Sequence, residues 1–211
     1  MRWLVCVAVL GCVPACGGSD SSRVRLDFTP LWQQGAQSVE QIDLRVYDSQ
    51  GTLVDQQTLT DLQATADVIV FNPGPTTRFE VEASSAATGT RTPSYWGTRT
   101  VSLAPGDDLD LVVPVFPAGG VAGTVMVSDG TPLPAGTEVV ATCTNPRSDA
   151  DAPSERRLPI DAGAFSGTLI DGNYQLVVSF LDAVGAPYTG EVAVTIVASQ
   201  TQSDVAIFAA P

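Results

Sequence analysis

The sequence predicts an all-β chain built as two antiparallel β-sandwiches in tandem. Apolar residues alternate with polar ones at period two through most of the length. Turn-forming clusters separate these stripes at fairly regular intervals. Helical periodicity of useful length is absent.

The first segment is a targeting signal. Met1-Arg2 supplies a charged start, Trp3 to Leu10 a short apolar run, and Ala15 a small residue at the cleavage position. The run is too short to cross ~30 Å of hydrocarbon as a helix. A cysteine directly after Ala15 gives the segment the form of a bacterial lipoprotein signal, which resembles those whose cysteine is acylated and becomes the mature N-terminus. Cys16 is the expected lipidation site. Cys12, in Val9-Leu10-Gly11-Cys12, fits the same order of residues and stands as the alternative, although cleavage there leaves a shorter apolar run. The polar Gly17 to Ser22 then reads as a flexible tether. Gly17 in place of an aspartate after Cys16 points to the outer membrane, at its periplasmic or cell-surface face.

The stripes follow in order. Ile42, Leu44 and Val46 face one way while Asp43, Arg45 and Tyr47 face the other. Phe79, Val81 and Ala83 alternate with Glu80, Glu82 and Ser84, and Leu109, Leu111, Val113 and Val115 form the next set. Val121 to Val127, Tyr174 to Phe180, Val192 to Ile196 and Val205 with Ile207 complete the series. Turns are expected at Asp48-Gly51, Asn72-Pro75, Pro105-Asp107, Asp129-Gly130, Asp161-Gly163 and Asp171-Asn173. Pro117-Ala118-Gly119-Gly120 reads as a break, with a fresh strand from Val121. The expected organisation is therefore a signal peptide over 1–15, a lipid-anchored linker over 16–22, one sandwich over 23–117 and a second over 118–211. Each half is close to the ~100 residues of an immunoglobulin-sized sandwich.

The second half also resembles a family. Val121-Ala122-Gly123-Thr124-Val125 leads through Asp129-Gly130-Thr131-Pro132-Leu133-Pro134-Ala135-Gly136 to Val139 and Ala141. Asp161-Ala162-Gly163-Ala164-Phe165 then leads to Leu169 and to Asp171-Gly172-Asn173-Tyr174-Gln175-Leu176. This pattern is similar to carboxypeptidase regulatory-like domains, and the resemblance implies a prealbumin-like sandwich with Phe165 and Tyr174 in its core. The chain departs from that pattern in a long polar insertion from Thr144 to Arg157. The first half resembles immunoglobulin-like repeats of bacterial lipoproteins only generically.

Composition removes most catalytic chemistry. The chain has 23 acidic residues against ten basic ones, all arginine, and no histidine or lysine. After loss of Arg2 with the signal, nine arginines face those 23 acids, a net −14 before the termini. Such a surface repels phosphate backbones, so nucleic acid is not an expected partner. Without His there is no Ser-His-Asp triad, Cys-His pair or His-bearing zinc site. Without Lys there is no Schiff base or Walker lysine. Only carboxylate pairs remain, and no catalytic residue is assigned. Cys143 is the one cysteine after Cys16, and its alternation with Val139 and Ala141 puts it on the apolar face of a strand.

Three further features carry weaker signals. Asp107, Asp108 and Asp110, or Asp149 with Asp151, could offer oxygen to calcium, but neither set follows the EF-hand order. No metal or cofactor is therefore assigned. Tyr95-Trp96 and Trp32 could form a sugar-stacking platform or fill a core. The 144–157 loop is the first place to seek a partner contact. The expected function is that of a non-enzymatic, membrane-anchored bacterial lipoprotein with a structural, adhesive or protein-interaction role at the cell envelope. The alternative is a carbohydrate-binding module on a lipid tether.

Overall fold

The computed structural model describes residues 21–33, 39–60, 65–87, 90–145 and 152–211. Cys6, Cys12 and Cys16, with the whole signal segment, lie outside these residues, as do Asp149 and Asp151. The described residues are all-β apart from one short helix.

The first half packs two sheets. One holds β1 (Ser21–Asp27) between β4 (Thr65–Phe71) and β7 (Asp108–Val112). The other runs in the order β3 (Leu53–Leu59), β2 (Gln41–Tyr47), β5 (Thr77–Ala87), β6 (Thr90–Val101). Alternation sets their inner faces: Val24 and Leu26 of β1 and Val68 and Val70 of β4 meet Ile42, Leu44, Val46, Phe79, Val81 and Ala83 in one buried cluster. The helix α1 (Thr29–Gln33) adds Leu31 to that core, with Asp27 accepting the Thr29 N–H at its start. Ser21 and Ser22 belong to β1, so the tether expected over 16–22 gives up its last two residues to the sheet. Ser22 is held there by donating its hydroxyl to the carbonyl of Ala104.

The second half repeats the arrangement. β8 (Phe116–Val127) lies between β11 (Ala164–Ile170) and β14 (Thr201–Ala209), while β9 (Glu138–Cys143), β12 (Gly172–Leu181) and β13 (Pro187–Ile196) form the opposing sheet. β10 (Glu155–Asp161) pairs with β9 through its first five residues and with β11 through its last two, joining the sheets at a corner. Val121, Phe165, Leu169 and Ile207 from one sheet and Val139, Leu158, Tyr174 and Leu176 from the other fill this second core. Asp161-Ala162-Gly163-Ala164 is a two-residue hairpin, with positive φ at Ala162 (49°) and Gly163 (83°) as the type I′ turn requires.

Two sequence expectations are corrected here. The strand predicted to begin at Val121 begins at Phe116, and Gly119 and Gly120 lie inside it, paired with Leu169 and Thr168. Their role is close approach: a Cβ on Gly119 would stand 2.3 Å from the carbonyl oxygen of Val197, and one on Gly120 2.7 Å from Thr201 Oγ1. The polar insertion expected to run from 144 to 157 ends earlier, because Glu155, Arg156 and Arg157 are strand residues of β10.

β8 serves both halves. Its first residues pair with β6 (Trp96 with Phe116, Tyr95 with Pro117), and from Ala118 it pairs with β11. Trp96, Ala118 and Ile170 bury one another where the two sandwiches meet.

Candidate functional site

The polar faces of β2, β5 and β6 are set by the same alternation that fills the first core. Across β2 and β5, Arg45 lies opposite Glu80 and Tyr47 opposite Arg78. Across β5 and β6, Glu82 lies opposite Trp96 and Glu80 opposite Thr98. β10 and β11 of the second sandwich cover one end of this face, leaving a cleft of about 940 Å³ between the halves.

Arg156 is the bridge. Its Nη2 is 2.9 Å from Glu80 Oε1, its Nη1 donates to the carbonyl of Thr168, and its guanidinium lies 4.3 Å over the Trp96 ring. Glu80 also accepts from Arg45 Nη1 at 3.0 Å. The Thr168 hydroxyl donates to Glu82 Oε2 at 2.8 Å, and Arg45 stands 3.7 Å from the same oxygen. The Glu80 side chain is 6% exposed and that of Arg156 17%. Such burial is tolerated because each charge is answered by opposite charge and hydrogen bonds.

Electrostatics follow the packing. Burial lowers the Arg156 pKa against the opposing pull of Glu80 and Glu82. At the less buried Arg45, burial is outweighed by Glu82 and Glu80, and the pKa rises. Burial, with Glu80 alongside, raises the Tyr47 phenol. Tyr47 carries the Arg78 guanidinium 4.2 Å above its ring. At the rim, exposed Arg157 lies 3.5 Å from Glu138 and 3.8 Å from Glu155.

The residues singled out from sequence fall elsewhere. Trp96 is 4% exposed and belongs to the buried contact between the halves, while Tyr95 and Trp32 pack against the first core. The three rings form no open platform. Asp107 accepts the N–H of Ala104 at 2.7 Å, and Asp110 lies 3.9 Å from Arg25. Among the described residues no group of three or more metal-ligating side chains is brought together. Cys143 is half-buried at the end of β9, packed against the second core. Tyr174 beside it is buried, which raises its phenol, with Cys143 and Asp171 adding to the shift. Of the cleft residues, the sequence points to Arg156 only as part of the 144–157 loop, and Arg45, Arg78, Glu80, Glu82 and Thr168 are not candidates there, because an outward polar residue on a strand reads as solvated. The available signal was the dense alternation Arg78-Phe79-Glu80-Val81-Glu82.

No family model and no curated protein matches the sequence. Among solved structures, a leucine-rich repeat protein from Bacteroides thetaiotaomicron is similar at 16% identity and a TM-score of 0.45, over 89% of this chain and 26% of that one. The chain thus spans about a quarter of that protein. A minor pilin of Streptococcus agalactiae matches at 17% identity and a TM-score of 0.30, covering 90% of this chain and 95% of the pilin. A fimbrial assembly protein from Parabacteroides distasonis matches at 10% identity and a TM-score of 0.33, over 87% and 89% of the two chains.

Proposed function

We infer that the chain is a non-enzymatic bacterial lipoprotein, acylated at Cys16 and held at the outer membrane, whose sandwiches serve a structural and adhesive role by carrying tension. The observation that supports this most is shared by both halves. In the first, the entry strand β1 and the exit strand β7 lie side by side and parallel, from Arg23 with Asp108 to Asp27 with Val112. In the second, β8 and β14 do the same, from Gly120 with Thr201 to Val127 with Ala209. Force along the chain loads such a pair in shear, so its hydrogen bonds must fail together. In an antiparallel hairpin pulled at its open end they fail one by one.

The cleft supports the non-enzymatic part. The carboxylates that line it, Glu80, Glu82, Glu138 and Glu155, are all engaged by arginine or hydroxyl donors. In this reading the second sandwich is of the carboxypeptidase regulatory-like type suggested by its turns. The cleft also favours a second reading, in which the anchored chain holds a saccharide.

Anchoring is tested by metabolic labelling with an alkyne fatty acid and detergent partitioning. Cys16→Ser is expected to lose both label and partitioning. Persistent label in that variant would move the site to Cys12.

A further inference from the structure

We propose that the cleft between the sandwiches takes an acidic saccharide, a sugar bearing a carboxylate, and that Arg78 is the cation that receives it. The inference rests on the second reading above and names its ligand class.

Four of the ten arginines of this acidic chain line the cleft. Three are answered by carboxylates: Arg45 by Glu80 and Glu82, Arg156 by Glu80, and Arg157 by Glu138 and Glu155. Arg78 differs. No described carboxylate lies within ion-pair distance of it, and its Nε, shut away from solvent, has no acceptor. Its guanidinium carbon instead lies 4.2 Å over the centre of the Tyr47 ring. A cation held in place without a counter-charge is preorganised for a planar anion, and a carboxylate matches the guanidinium fork.

The polarity of the walls favours a saccharide. β2 and β5 have a hydrogen-bonded strand on both sides and offer no free edge, whereas β6, β10 and β11 are each paired on one side over only two residues, so an extended peptide is the competing occupant that the titration below separates. What the walls do offer is side-chain polarity, with Thr98, Ser166 and Gln50 alongside Arg78. Hydroxyls and an amide complement the hydroxyls of a sugar. The volume lies within the ~300–1,000 Å³ range of small-molecule pockets, enough for a short oligosaccharide. The net charge of −13 works against long polyanions but little against one carboxylate inside a cleft whose other charges are already paired.

Calorimetric titration of the full chain in detergent tests this, using trigalacturonate as the acidic probe, maltotriose as the neutral one and an oligoglutamate as the peptide. Saturable binding of trigalacturonate is expected, with neither control binding. Arg78→Gln should weaken it by at least about tenfold, as expected for a lost charge-assisted pair, at unchanged melting temperature. Arg78→Lys, which keeps the charge but loses the fork, should fall between and serves if the glutamine variant does not fold. No binding of trigalacturonate, equal binding of maltotriose or oligoglutamate, or indifference to both Arg78 variants would overturn the proposal. Lipid labelling and mechanical strength are read separately, so this inference and the load-bearing one fail independently.

Discussion

Arg156 of the second sandwich and Glu80 of the first meet at 2.9 Å, and the centre of the same guanidinium lies 4.3 Å over the Trp96 ring. The pair ties β10 to β5 across the junction. Removing one member of a buried pair costs about 3–5 kcal/mol, because the other is left uncompensated. Arg45 still reaches Glu80, which places Arg156→Met near the lower end. Wild-type chain is expected to unfold in urea as one transition, and Arg156→Met as two, with the junction lost first. A single unshifted transition in the variant would show that the pair does not couple the halves.

Acid should loosen the second sandwich through Asp129. Its carboxylate accepts the Tyr188 hydroxyl at 2.5 Å and the Thr131 N–H at 2.9 Å, and these bonds lower its pKa to about 2. A carboxylate with a depressed folded-state pKa contributes stability above the unfolded value, near 3.9, and loses it as pH falls through the folded one. The contribution should therefore fade between about pH 4 and pH 2. Melting temperatures across that window should fall less steeply in Asp129→Asn than in wild type, and equal slopes would remove Asp129 from the account.

Burial should separate two aromatic truncations. Tyr174 is 3% exposed within the second core and Phe71 is 69% exposed on β4. Tyr174→Ala should cost about 3–5 kcal/mol in denaturant melts. Phe71→Ala should stay within about 0.5 kcal/mol. Similar losses would contradict the packing described.

Cys143 is the one cysteine among the described residues and is free. Dithiothreitol should leave the melting temperature of residues 23–211 unchanged, and a shift would reveal a disulfide between chains.

The stripes that filled the cores were legible because burial on one face imposes period two, as at Ile42-Leu44-Val46 and Tyr174-Leu176-Val178. β1 and β4 carry no such stripe. Val24 lies between two arginines and Leu26 between Arg25 and Asp27, too short a run to mark a strand, and Val68-Ile69-Val70 carries an exposed isoleucine that blurs the alternation. Gly119-Gly120 reads as a break in β8 because glycine weakens strands in general, whereas here it admits the backbone and Thr201 side chain of a neighbouring segment. The cleft was illegible for a different reason. Arg156 and Glu80 are 76 positions apart, and only the tertiary fold turns two outward charges into a buried pair.

Pulling the first sandwich along two directions tests the load-bearing claim most directly. Handles at Ser21 and Val115 load the parallel β1–β7 pair in shear, whereas handles at Ser21 and Phe71, which face each other across the antiparallel β1–β4 pair, open that ladder one bond at a time. Single-molecule force spectroscopy on the same folded chain should record a severalfold higher unfolding force in the first geometry. Equal forces in the two directions would contradict the account, because the parallel terminal strands would then bear no load.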